Sequence, residues 1–249
     1  MAIKIDLFEF PTKEEMLPLL QESPLYNYKV QSDSFNWTNK ELFWFDKLDH
    51  QIFTIELASS LNKRIFQLNL GYAYLLYYSN RGISDGEYLF LNNLTDEEWT
   101  NKIHFDQNID GVFQKAFTAL DLLAHLLFAC FGLKTERKKE RKLIRINKSF
   151  HNAMSQIKFI DRELYNKLEG IRGAREFQEA SKVRNDIVHN QPPYEKWNQK
   201  VKHSNGTESM VTKYTPSKRL LEIAQGLLEC IQRIFIIIED NLNKKIACS

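Results

Sequence analysis

FQEASKVRNDIVHN, residues 177–190, places Phe177, Ala180, Val183, Ile187 and Val188 at the three- and four-residue steps that give a helix one apolar face. That face should enter a core. Pro192 and Pro193 follow, and a residue before proline is pushed away from helical angles, so the helix should stop near Asn190 with His189 in its last turn. Arg184 and His189 sit beside the apolar face. A cation and a titratable imidazole therefore share one helix end, with Asn185 four residues before His189 and on the same side of the helix.

Beyond the prolines, Asn205-Gly206 is a strong two-residue turn signal between alternating residues, which predicts a small exposed β-hairpin over 200–214. Thr215-Pro216 then opens a last helix with an apolar stripe at Leu220, Ile223, Leu227, Ile231, Ile234 and Ile238. Before the motif, Asp161 to Leu168 reads as a short helix. Residues 135–158 read as a longer one, basic first and amphipathic afterwards. Residues 110–131 are apolar almost all round, with Phe113, Phe117, Leu120, Leu127 and Phe128 as core candidates, which predicts a central helix ended by Gly132.

Nearer the N-terminus, Thr38 and Glu41 form a capping-box pattern before a helical region toward Tyr78, whose buried seam is Leu61, Ile65, Leu68, Tyr72 and Leu75. Residues 80–108 read as an insertion, with a strand at Tyr88 to Leu91 and a short helix opening at Thr95. Residues 1–37 read as an N-terminal arm, with strand-like alternation at Ile3, Ile5 and Leu7 and a capping box at Thr12 and Glu15. The expected fold is all-α: an antiparallel four-helix bundle over 38–249, preceded by the arm and interrupted by the insertion and the hairpin.

The composition agrees with one globular domain or two small ones, since 43% of the 249 residues are apolar, 27% are charged, and only 9 Gly and 6 Pro break the helical pattern. With a net charge of +2, any attraction for nucleic acid has to come from a local patch. Residues 134–148, KTERKKERKLIRINK, offer one, with eight basic residues against two acidic. Lys134, Arg137, Lys138, Arg141, Lys142 and Arg145 are the candidate phosphate-backbone contacts, although such a run is also what a solvated helix face looks like. Cys130, Cys230 and Cys248 fit buried thiols in a reducing compartment rather than a disulfide framework. The N-terminus makes a poor signal peptide, and the longest apolar window, 122–133, falls short of the ~20 residues that span a bilayer. A cytoplasmic protein without membrane contact is expected. No His or Cys pair stands at metal-ligand spacing and no glycine-rich phosphate loop occurs, so neither metal nor other cofactor is expected. Asp121 and His125, four apart on the central helix, read as a structural hydrogen bond rather than as catalytic groups.

RNDIVH at 184–189, with a polar residue beside the arginine, at the end of a bundle helix and before a Pro-rich exit and a final apolar helix, resembles the R-x4-6-H signature of the HEPN superfamily. Arg145 and His151 lie at similar spacing, but Arg145 is followed by Ile146 and reads as mid-helix, which departs from that pattern. What the resemblance implies is a metal-independent endoribonuclease of the kind used as a toxin or defence effector. Arg184 and His189 would be catalytic and Asn185 would assist. RNA is the implied partner, together with a homodimer across the Arg184/His189 helix and, for a toxin, a separate antitoxin. The alternative is a non-catalytic RNA- or protein-binding bundle of the same fold. Five residues at about 100° each put Arg184 and His189 about 140° apart on an ideal helix. Fraying before Pro192, the reach of Arg184, or the twin motif of a second subunit would bring them to one phosphate.

Overall fold

The computed structural model describes residues 4–6, 8–38, 44–86, 94–139, 142–202 and 206–248. Among these, seven α-helices carry the fold: α1 (Lys13–Gln21), α2 (Trp44–Asn80), α3 (Asp96–Cys130), α4 (Phe150–Ile160), α5 (Arg162–Arg172), α6 (Arg175–His189) and α7 (Ser217–Cys248). Two antiparallel ribbons interrupt them, β1 (Glu136–Lys139) with β2 (Lys142–Arg145) and β3 (Trp197–Lys202) with β4 (Glu208–Lys213).

The expected periodicities are the ones that bury. Leu61, Ile65, Leu68, Tyr72 and Leu75 form the inner face of α2, and the whole predicted stripe of α7 from Leu220 to Ile238 is buried. Arg81 at the end of α2 pairs with Glu97 in the first turn of α3, so these two helices run antiparallel. Their backbones approach closely at Gly71, where an added Cβ would meet Val112 Cγ2 at 2.9 Å. α7 packs on α2, α3, α5 and α6, which closes an antiparallel bundle with α4, α5 and α6 together forming its fourth side. One stretch of α3 is apolar and long enough to cross a membrane by composition, but 56% of it is buried as the central helix of the bundle.

Three boundaries differ from the sequence reading. The capping box at Thr95 and Glu98 is formed, but the helix it opens is α3 itself, which continues to Cys130. Residues 96–108 are thus the first third of the central helix rather than part of an insertion. The interruption is read from Arg81-Gly82 and Asp85-Gly86, whereas the polar Asn101, Lys102 and His104 of α3 are buried with polar partners. The helix expected over 135–158 is a ribbon followed by α4, so Arg145 ends a strand instead of lying mid-helix. Ser149 accepts from the Asn152 amide and starts α4 there.

The segment before α2, read as an N-terminal arm, packs on the bundle. Leu25, Val30 and Phe35 belong to the same core cluster as the helices, and Asn62 of α2 bonds both the N–H and the carbonyl of Val30, at 2.9 and 3.0 Å. The Thr12–Glu15 capping box is present. The hairpin over 200–214 is present as well, in the register Lys202↔Glu208 with Gly206 at φ 82°. Ile3, Leu7, Glu41, the run Tyr88 to Leu91, Arg141 and Asn205 lie outside the described residues.

Candidate functional site

α6 ends at His189, with the Asn190 amide closing the last turn onto the Asp186 carbonyl at 3.0 Å. Phe177, Ala180 and Val183 point into the core and Ile187 packs on it, whereas Val188, expected on the apolar face, is exposed. The helix therefore presents two working sides. Phe177, Ser181, Arg184 and Asn185 form one wall of a cavity of about 260 Å³. Along the opposite side, Lys182, Asp186 and Asn190 face a larger cavity of about 890 Å³ against the β3–β4 ribbon and the start of α7.

In the smaller cavity Arg184 is half-buried, its guanidinium carbon 5.9 Å from the centre of the Phe117 ring. Nη1 donates to Oδ1 of Asn185 at 3.1 Å, while the buried Nε has no hydrogen-bond partner. Among the described residues no carboxylate pairs with this arginine, so its charge is free to meet an anion. The far wall comes from three other helices: Asp121 of α3, Ser149 and His151 at the start of α4, and Arg172 at the end of α5. His189 does not line this cavity. It is exposed one turn beyond Asn185 on the same side of α6, as the angular separation from Arg184 requires. The structure thus joins Arg184 to Asn185 directly and leaves His189 exposed, outside the cavity lining.

Asp121 and His125 do not form the expected pair. Asp121 accepts from the Phe150 amide at 3.1 Å and so helps to start α4. His125 lines a neighbouring cavity with Arg145 and Lys148, where burial and then the Lys148 charge hold its imidazole below the usual range despite Asp121 nearby.

The basic run is exposed but is not one helical stripe. In a two-stranded ribbon side chains alternate between faces, so Lys138 and Arg145 share one face while Arg137 and Lys142 take the other. Lys134, just before β1, is held by Gln156 of α4 through both its amide and its carbonyl. Arg145 ends the ribbon next to α3, one helical turn along α3 from the Asp121 side of the motif cavity.

A buried polar cluster anchors the chain after His189. Tyr194 donates to Asp110 at 2.8 Å, Tyr214 donates to Asp85 at 2.6 Å, and Asp85 also receives the Ser217 amide and hydroxyl. Lys102 lies beneath both tyrosine rings and donates to Asp106. Burial pushes the Asp106 carboxyl up to about 7, with Lys102 pulling it back down. This cluster fixes the chain before β3 to α3 through Asp110 and the chain after β4 to Asp85, between α2 and α3.

A bundle whose penultimate long helix ends in Arg184, Asn185 and His189 matches a family model, HEPN_Cthe2314-like HEPN, over residues 57–243. The chain belongs to that HEPN family. The match begins within α2 and ends within α7, so in this HEPN protein it includes both ribbons and the whole motif. No curated protein and no solved structure matches the chain. The sequence reading missed Ser149 and Arg172 in the HEPN motif cavity and set His151 aside together with Arg145. The legible signal was the polar Asn147-Lys148-Ser149 run before Phe150, a helix start that separates His151 from the basic run.

Proposed function

We propose that the protein is a metal-independent endoribonuclease acting through Arg184, Asn185 and His189. The His189 imidazole accepts the proton of a ribose 2′-hydroxyl, and the resulting oxyanion attacks the adjacent phosphorus. Arg184 offers its fork to the negative charge that grows on the phosphoryl oxygens, an interaction strongest in the transition state. Asn185 orients that fork through its bond to Nη1. Cleavage then leaves a 2′,3′-cyclic phosphate and a 5′-hydroxyl, and DNA is spared.

The observation that carries this reading is an arginine without a carboxylate partner, opening onto a cavity beside Asn185 and an exposed His189. The exposed basic ribbon, through Lys134, Arg137, Lys138, Lys142 and Arg145, supplies a backbone-holding surface for RNA. The exposed side of α6 carrying Val188 and His189 fits a homodimer in which two motifs share one groove. A cytoplasmic toxin or defence effector, restrained by a separate antitoxin, is the role such an activity fits.

The test incubates labelled RNA with purified protein in EDTA, beside the His189→Ala variant. Cleavage by the wild type and none by the variant supports the reading. Equal cleavage by both removes His189 as the base, and RNA binding without cleavage assigns the bundle to a binding role. Expression that arrests growth, relieved by Arg184→Ala, supports the toxin role.

A further inference from the structure

In an in-line displacement at phosphorus, the attacking and leaving oxygens stand on opposite sides, so a base and an acid must flank the phosphate rather than share one side. The motif supplies a single imidazole, His189, exposed one turn beyond Asn185 and outside the cavity lining. A second imidazole faces Arg184 from another element: His151, in the first turn of α4, lines the same cavity as Arg184 and Asn185. It is exposed, and its ring has no hydrogen-bond partner among the described residues. The other charged groups around it are Asp121 from α3, Arg172 from α5 and Arg184 from α6. Asp121 is engaged with the Phe150 amide and Arg172 with Glu169, at 3.1 and 2.7 Å. Arg184 is bonded only to the neutral Asn185 and has no carboxylate partner among the described residues, which leaves its charge and the His151 ring turned to the cavity. β2 leads into α4 through residues 146–149, so the basic ribbon and His151 are close neighbours along the chain.

We infer that His151 is the general acid of this site, donating a proton to the departing 5′-oxygen of an RNA phosphodiester seated on Arg184. The inference rests on the ribonuclease reading above and adds to it a second catalytic histidine from outside the motif. In the step, the 2′-oxygen bonds to phosphorus while its proton passes to His189, the bond from phosphorus to the 5′-oxygen breaks, and the His151 imidazolium proton goes to that oxygen. The sequence pairs Arg184 with His189. The fold adds His151 across the cavity, within the same chain.

A leaving sulfur needs no proton, which separates an acid from a binding or structural residue. The experiment compares wild type and His151→Gln on an RNA oligonucleotide with an ordinary phosphodiester, and on one with a bridging sulfur at the 5′ position of the cut site. The variant should lose about 10²- to 10⁴-fold in kcat on the ordinary substrate and come within a few-fold of wild type on the sulfur substrate. His189→Ala, lacking the base, should stay impaired on both. An active wild type whose His151→Gln variant matches it, or is equally impaired on both substrates, overturns the role of His151 and leaves the ribonuclease reading standing. A wild type that cleaves neither substrate overturns both.

Discussion

Arg184 donates from Nη1 to the side-chain oxygen of Asn185, the next residue in the chain, at 3.1 Å. This bond aims a half-buried guanidinium that has no ion-pair partner among the described residues. Arg184→Lys keeps the charge but loses the planar fork, so cleavage should fall about 10²-fold or more while thermal stability changes little. Asn185→Ala should cost less, about tenfold, by loosening the fork's orientation. Single-turnover kinetics with a melting curve for each variant checks both.

Val188 stands exposed on the motif side of α6, between Asn185 and His189. If that side is the dimer face, Val188→Glu places two like charges across a two-fold axis and should yield monomers with much reduced cleavage. Light scattering after size exclusion reads the mass. A variant that remains dimeric and active would move the subunit contact elsewhere.

Asp106 gives a pH dependence whose sign is fixed by burial. The folded state keeps this carboxyl protonated up to about pH 7, whereas in the unfolded chain it ionises near its ordinary value of ~3.9. The stability it contributes is therefore complete below about pH 4 and is lost as pH rises through about 7. Asn cannot ionise, so the cost of Asp106→Asn should shrink between pH 5 and pH 8 in urea unfolding. The neighbouring charges, Lys102, Asp85 and Asp110, remain in both proteins. A cost that grows with pH would mean that the attraction to Lys102 outweighs desolvation.

Gly71 lets α2 lie against α3, and a methyl group there meets Val112 at 2.9 Å. Gly71→Ala should lower stability by about 1–3 kcal/mol in chemical denaturation, although alanine is the better helix former. Val112→Ala in the same chain should recover part of the loss.

Much of the bundle is legible in the sequence because apolar periodicity is a local signal. The α7 stripe, the α2 seam and the capping boxes at Thr12 and Thr95 all stand where their spacing puts them. What is not legible depends on partners far along the chain. His104 is buried because Tyr78 stacks on it at 4.7 Å and the Asp6 carbonyl lies 3.2 Å from its Nε2, so a polar stretch becomes the start of the central helix. Residues 136–139 and 142–145 carry helix formers yet pair as a ribbon, in the register Glu136↔Arg145 to Lys139↔Lys142. His151 follows from that pairing: with a helix over 135–158 it is one more residue of the helix that carries Arg145, whereas with α4 beginning at Phe150 it faces the cavity of Arg184.

The most direct measurement uses an RNA cut by the wild-type protein in EDTA, resynthesised with a single 2′-deoxy nucleotide on the 5′ side of the mapped cut. Attack by the 2′-oxygen, driven by His189 beside Arg184, predicts that this one bond becomes resistant, while the unmodified RNA yields ends with a 2′,3′-cyclic phosphate. Undiminished cleavage at the deoxy position would contradict the account.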